Sequence, residues 1–204
     1  MTIVSRVSSA RGELVLRRDG EHFEVISNGV FLMDTRDGRS ERLLVTAALD
    51  AHPAARSLLI GGLGVGFSLG AAVDVRGLEQ ITVVEIEPAL VEWYERELGG
   101  TAHQDPRVAV VIGDVATHAG SDDVICLDVD NGPDWTVTDA NTGLYDEAGT
   151  AALRSRLTPG GVLAVWSAHA VPSYESILRD QFSDVRVFSV DVARGEPDVV
   201  YVAY

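Results

Sequence analysis

Cysteine is nearly absent from the 204-residue chain: Cys126 stands alone, so no disulfide can form within it. It sits in Asp123-Val124-Ile125-Cys126-Leu127-Asp128, apolar surroundings that suit a buried core thiol better than a nucleophile. The five histidines are scattered without metal-ligand spacing, which argues against a metal site. Long apolar runs are missing too, each broken by a charge or glycine within about ten residues, well short of a membrane span. The opening Met1-Thr2-Ile3-Val4-Ser5-Arg6 lacks the charged-then-apolar layout of a signal peptide, so a cytoplasmic protein is expected. Basic residues are scarce, 16 Lys and Arg against 31 Asp and Glu, giving a net charge of −15. Such a surface repels nucleic acid and anionic membranes. It suits a cationic or amine-bearing small molecule, and it serves plain solubility equally well.

The residues that are present, 46% apolar and 23% charged, are those of a soluble globular protein with a sizeable core, most simply one domain with a small appendage. The chain is organised around residues 57–66, where Leu58-Leu59-Ile60 runs into Gly61-Gly62-Leu63-Gly64-Val65-Gly66. An apolar run followed by glycines and a helix-compatible stretch reads as a buried parallel strand, a tight turn and a helix N-terminus. Glycine lets the backbone turn sharply there and lets a ligand lie against it. A tight turn alone would give the same cluster, and the next strand decides. Residues 81–87 form a second apolar strand ending in acid, and Glu85 falls about 20 residues on, where a βαβ unit presents a carboxylate to a ribose diol.

Ahead of this core, residues 12–38 read as two or three short antiparallel strands, punctuated by Asp19-Gly20, Asn28-Gly29 and Asp37-Gly38. The expected organisation is therefore a β appendage over 1–39 and an α/β domain over 40–204. Ser40 and Glu41 open a helix to about Ala51, ended by His52-Pro53. Strands are expected at 57–61, 81–86, 107–112, 123–128 and 162–167, with helices at 66–76, 88–98, 146–157 and 172–182. Two last strands joined through Arg194-Gly195-Glu196-Pro197 suggest a hairpin, one strand of it antiparallel near the sheet edge.

Four loops then emerge at the carboxyl ends of the central strands, where open α/β sheets bind ligands. They are Gly61 to Gly66, Glu85 with Ile86 and Glu87 behind it, Gly113-Asp114-Val115, and Asp128-Val129-Asp130-Asn131-Gly132-Pro133. One strand-end acid is commonly a helix cap. Four successive strand ends carrying this chemistry describe a binding crevice.

From Leu58 to Ser167 the chain resembles the class I S-adenosylmethionine-dependent methyltransferase fold, a Rossmann-like, mostly parallel sheet with an antiparallel strand near the C-terminus. Within that fold it resembles the spermidine synthase (aminopropyltransferase) family. Leu59 to Gly66 looks like that family's glycine-rich loop and Val84-Glu85-Ile86-Glu87 like its Val-Glu-Ile-Asp segment. Asp105-Pro106-Arg107-Val108 through Gly113-Asp114 is close to its Asp-Pro-Arg-Val…Gly-Asp segment, and Leu157-Thr158-Pro159-Gly160-Gly161 resembles its approach to the fifth strand. The hairpins at 12–38 are similar to its N-terminal β domain. The resemblance implies S-adenosylmethionine or its decarboxylated form as donor and no metal. Gly61, Gly62, Gly64, Gly66, Glu85, Ile86, Gly113, Asp114, Val115 and Asp128 would hold it, Glu85 at the ribose and Asp114 at the adenine. It also implies a homodimer.

The acceptor side departs from the family. Its Asp-Ser-Ser-Asp-Pro segment is here Asp128-Val129-Asp130-Asn131-Gly132-Pro133, and Ser40 and Glu41 stand near where it has a Tyr-Gln pair. Transfer from a sulfonium needs alignment of donor and acceptor and an unprotonated acceptor. Asp128 is the candidate base, and Asp130 steers a polar acceptor or caps its own loop as an Asx turn. Asn131, Trp135 and Tyr145 belong to a lid-length segment over the acceptor, an aromatic at either end able to pack on a substrate or cation, with core packing at the lid base the favoured role for Tyr145. The altered segment turns the reading toward methyl transfer onto a small polar or amine-containing acceptor. Aminopropyl transfer from decarboxylated S-adenosylmethionine to a polyamine is the alternative, and a non-catalytic nucleoside-binding homologue a further one. A nicotinamide-dependent oxidoreductase fits less well, since Gly62 and Gly64 suit G-x-G-x-x-G but Phe67 takes the third position.

Overall fold

A computed structural model describes residues 1–136, 139–193 and 195–204, with only the main chain at 139 and 140. Arg194 of the C-terminal hairpin and residues 137–138 of the lid segment lie outside the described residues. The N-terminal sheet has four antiparallel strands, one more than the sequence suggests: β1 (Thr2–Ser9), β2 (Gly12–Asp19), β3 (His22–Ser27) and β4 (Val30–Asp34), in that spatial order. The Asn28-Gly29 turn takes positive φ at both residues (50° and 81°), the conformation a two-residue hairpin needs. Asp37-Gly38, by contrast, makes no hairpin and leads into α1 (Arg39–Ala51).

The remaining elements follow as β5 (Ser57–Gly61), α2 (Phe67–Val73), β6 (Gln80–Glu85), α3 (Pro88–Arg96), β7 (Val108–Ile112) and β8 (Asp122–Leu127). Then come α4 (Asp139–Thr142), α5 (Glu147–Ser155), β9 (Leu157–Ser167), α6 (Pro172–Gln181), β10 (Val185–Val190) and β11 (Asp198–Ala203). Seven strands form one sheet in the order β10-β11-β9-β8-β5-β6-β7, with β11 antiparallel to both its neighbours and the rest parallel. No helix among the described residues is long and apolar enough to cross a membrane.

The central strands are apolar without alternation because both faces are covered. Leu58 and Ile60 pack with Leu44, Ala48, Leu69 and Ala72 of α1 and α2. Leu59, pointing the other way, joins Leu153, Tyr174 and Leu178 of α5 and α6. Cys126 is fully buried in the first layer, and burial pushes its thiol well up, as a core thiol should be. The N-terminal sheet packs through Leu14, Leu16 and Val25 onto Ala89, Leu90 and Trp93 of α3. Each such aliphatic side chain contributes roughly 1.5–3 kcal/mol when fully buried, enough to fix that sheet as one wall above the crevice.

One charged cluster holds the wall itself. Glu24 is 5% exposed, and its carboxylate pairs with Arg17 and, at 2.7 Å, with Arg36, which also reaches Asp19 and Asp34. Burial works to raise the Glu24 carboxyl, but the two guanidiniums outweigh it and hold it below its ordinary value. A carboxylate lowered on folding stabilises above its unfolded pKa, and that contribution fades as pH falls through the folded one. Glu24→Gln is therefore expected to cost roughly 1–3 kcal/mol at pH 7. Thermal unfolding of the two proteins should converge below about pH 4. A pH-independent difference would assign the cost to packing instead.

Candidate active site

Neighbouring strands β5 and β8 send their connections to opposite sides of the sheet, β5 toward β6 and β8 toward β9, and the crevice opens at their carboxyl ends. Gly62 begins the turn with φ of +91° and donates its N–H to Val84 O at 2.9 Å. A Cβ there would lie 2.0 Å from the Asp128 carbonyl oxygen, so only glycine lets the two loops touch. Gly64, at φ +54°, sits below Met33 of the N-terminal sheet. Gly62→Ala is expected to push the Asp128 loop outward and weaken nucleoside binding at least about tenfold, read by calorimetry with methylthioadenosine. Wild-type affinity would show that the loop absorbs the methyl group.

Glu85 closes β6 and is 4% exposed. The N–H of Leu63 donates to one carboxylate oxygen and that of Glu87 to the other, both at 2.8 Å. Burial raises this carboxyl above its usual range, and those two amides act against the rise. Each oxygen keeps a further lone pair, and Glu85 lines the cleft. Asp114, after β7, accepts from the Ala116 N–H at 2.8 Å and lines the same cleft with Gly113 and Val115.

The N-terminal sheet completes the enclosure, which the sequence did not announce. Arg11, in the turn between β1 and β2, donates to Ile86 O at 3.3 Å and to Glu87 Oε1 at 3.2 Å, and Ser9 adds a hydroxyl to the same oxygen. Glu87 is 7% exposed, and its Oε2 has no hydrogen-bond partner among the described residues. Leu14, Leu32 and Met33 supply the apolar side of the cleft. Acids on one side and aliphatic side chains on the other thus enclose the cleft.

Asp128 ends β8 and borders both this cleft and a larger cavity of about 1040 Å³ beside it. Ser68 of α2 donates its hydroxyl to Asp128 Oδ2 at 2.7 Å. Glu41, in the first turn of α1, lines the larger cavity with Asp128. Burial raises Asp128 to about 6, with the charge of Asp198 adding to it, while the Ser68 hydrogen bond acts the other way. Burial and then the charge of Asp128 raise Glu41 to about 7. Asp198 is raised as well, mainly by burial. Sequence reasoning passed over Glu41 and Asp198, since an acid in a first helical turn, or opening a strand, reads as solvated charge.

The other sequence candidates divide. Gly62, Gly64, Glu85, Ile86, Gly113, Asp114, Val115, Asp128 and Asp130 meet in the cleft. Gly61 and Gly66 do not line it: a Cβ on Gly61 would meet Val115 and Leu127, and one on Gly66 the Tyr94 ring, so both serve packing. Asp130 has φ of +55°, and its carboxylate accepts from the Asn141 side chain at 2.7 Å, so it anchors the segment after β8 as well as facing the cavity. Asn131 is buried on the cavity wall, and Trp135 lines the cavity half-exposed. Tyr145 is corrected: it is 3% exposed, stacks edge-on against Tyr174 and donates its hydroxyl to Val129 O at 2.9 Å. It braces the Asp128 loop from below and reaches neither cavity. Trp166, on β9, is part-buried against the core and lines the larger cavity.

No protein-family model matches the chain. Over 175 residues it is 30% identical to the polyamine aminopropyltransferase of Mycobacterium tuberculosis, covering 80% of this chain and 32% of that protein. Over 151 residues it is 32% identical to putrescine N-methyltransferase 4 of Nicotiana tabacum, covering 71% of this chain and 38% of that one. The chain thus spans about a third of the length of the curated relatives it matches. The crystal structure of spermidine synthase from Thermotoga maritima superposes with a TM-score of 0.80 at 17% identity, over 99% of this chain and 72% of that one, which shows a common fold.

Proposed function

We propose, for a chain that is spermidine synthase-like in sequence and carries the class I methyltransferase fold, that it transfers an aminopropyl group from decarboxylated S-adenosylmethionine to a polyamine nitrogen. The observation that carries this reading is the charge of the donor cleft. Glu85, Glu87, Asp114, Asp128 and Asp130 line it, and its one cation among the described residues, Arg11, is already engaged by Glu87 and Ile86. A donor that keeps its α-carboxylate brings a like charge among those acids, costing on the order of 4 kcal/mol for a contact at about 4 Å near the protein surface. A donor without it presents only an ammonium, which the acids attract.

The sequence alone favoured methyl transfer, from the altered segment after β8; the donor-cleft charge tells against it. The likeness to putrescine N-methyltransferase 4 favours a second reading, methyl transfer onto a polyamine, which would use the same acceptor cavity. A non-catalytic nucleoside binder requires that no pocket open beside Asp128, and one does. Phe67, whose ring packs under Arg42 at 4.4 Å and borders the acceptor cavity, occupies the place a dinucleotide loop gives to glycine.

The sulfonium donor supplies a carbon already activated for displacement. The chain's residues then have two tasks, to align donor and acceptor and to handle the acceptor's proton. Glu85 and Asp114 fix the nucleoside end, and Asp128 faces the junction of the two cavities. Calorimetric titration with S-adenosylmethionine, its decarboxylated form and methylthioadenosine tests the reading. The decarboxylated donor is expected to bind at least about tenfold more tightly than the intact one. The reverse preference would replace aminopropyl by methyl transfer.

A further inference from the structure

Among the acids of the larger cavity, Asp19, Glu24 and Asp34 pair with Arg36, Glu24 also with Arg17, and Asp37 pairs with Arg39. Glu41, Asp128 and Asp198 have no ion pair among the described residues, and the Ser40 hydroxyl joins two of them. Its oxygen lies 2.9 Å from Glu41 Oε2 and 2.6 Å from Asp198 Oδ2. A hydroxyl has one hydrogen, so it can donate to only one of them. The other contact is satisfied when that carboxyl itself carries a proton. All three acids border one cavity of about 1040 Å³, with Asn131, 6% exposed, on the same wall.

We propose that Glu41 seats the acceptor's ammonium group and takes its proton, with Asp128 beside it steadying the charge. The inference rests on reading the larger cavity as the amine's seat. A polyamine arrives protonated and cannot attack in that form. One proton passes from the acceptor nitrogen to the Glu41 carboxylate, and the freed lone pair makes the new C–N bond as the C–S electron pair passes to sulfur. The products are neutral methylthioadenosine and a secondary ammonium, and the proton on Glu41 returns to solvent. Atoms and charge balance with no further reactant. The raised carboxyl of Glu41 suits a base working near neutral pH. The other titratable and charged groups lining the cavity are Asp19, Glu24, Asp34, Arg36 and Asp37 on the side of the N-terminal sheet, Asp128 and Asp130 after β8, His169 after β9, and Glu196 and Asp198 at β11.

The test titrates spermidine into protein saturated with methylthioadenosine, between pH 5.5 and 9, for wild type and Glu41→Gln. Wild-type binding is expected to weaken as pH falls below about 7, with protons released on binding, because the ligand's charge displaces the proton the acids hold. Glu41→Gln should bind spermidine at least about tenfold more weakly at pH 8 and lose that proton release. Its affinity for methylthioadenosine should stay within threefold or so of wild type, which reports a folded donor site. Its turnover with the decarboxylated donor should fall about 100-fold at pH 7 and recover above pH 9, as free amine becomes available. Unchanged spermidine affinity and proton release in Glu41→Gln overturns the assignment, as does a wild-type protein that binds no polyamine. If wild type binds spermidine through Glu41 yet forms no aminopropyl product, the transfer reading falls and the Glu41 assignment stands.

Discussion

Asp128→Asn is expected to lower kcat by about 10–10²-fold at pH 7, through loss of the charge that steadies the acceptor beside Glu41, while affinity for the uncharged methylthioadenosine changes by less than about threefold. The substitution is nearly isosteric, and an asparagine oxygen can still accept the Ser68 hydroxyl that now holds Asp128 at 2.7 Å, so the loop should keep its place. What goes is a negative charge at the junction of donor cleft and acceptor cavity. A second consequence separates this role from a structural one. The charge of Asp128 is the second-largest cause, after burial, of the raised carboxyl of Glu41. Removing it should lower the Glu41 pKa, so the acidic limb of the residual activity should move to lower pH. Release of methylthioadenosine against pH measures both effects. Turnover within about threefold of wild type would remove Asp128 from the chemistry.

That Asp128 could be found at all in the sequence has a local cause. A parallel strand buried on both faces must be apolar throughout, so the first acid after Val124 to Leu127 marks its exit from the core, and exits of adjacent strands share a rim. The same reasoning located Glu85 and Asp114, and nearly all the strands of the large sheet. It failed for β1, whose residues are exposed or only part-buried, so no hydrophobic alternation marks it. It failed again for Arg11 and Glu41. Each gains its role from a chain segment far along the sequence: Arg11 across to Ile86 and Glu87, Glu41 across to Asp128. No spacing rule encodes those approaches. Tyr145 carried two readings, ligand contact and core packing at the lid base, and the structure takes the second. An aromatic beside a polar loop looks available to a ligand, but its hydroxyl is taken up by Val129 O inside the second core layer.

Glu85→Ala is expected to weaken methylthioadenosine binding at least about 100-fold, near 2.7 kcal/mol. Two hydrogen bonds from ribose hydroxyls to a carboxylate, at roughly 1.5–3 kcal/mol each, would account for that loss. The alanine variant also strips the Leu63 and Glu87 amides of their acceptor, and Leu63 is 1% exposed, so a stability loss of roughly 1–3 kcal/mol comes with it. Glu85→Gln lessens the structural effect without removing it. Its single amide oxygen can serve one of the backbone N–H groups, but its NH₂ then faces the other donor, so the carboxylate position is kept and its acceptor capacity is not. A glutamine variant that loses less stability than Glu85→Ala yet binds the nucleoside at least about tenfold more weakly than wild type would place Glu85 at the sugar. The pH dependence has a fixed sign. Burial raises this carboxyl, so nucleoside affinity should begin to fall at a higher pH than an ordinary glutamate would set, as the acceptor takes up a proton. Unchanged affinity in both variants would sever Glu85 from the ribose, and the donor cleft would have to be read from Glu87 and Asp114 instead.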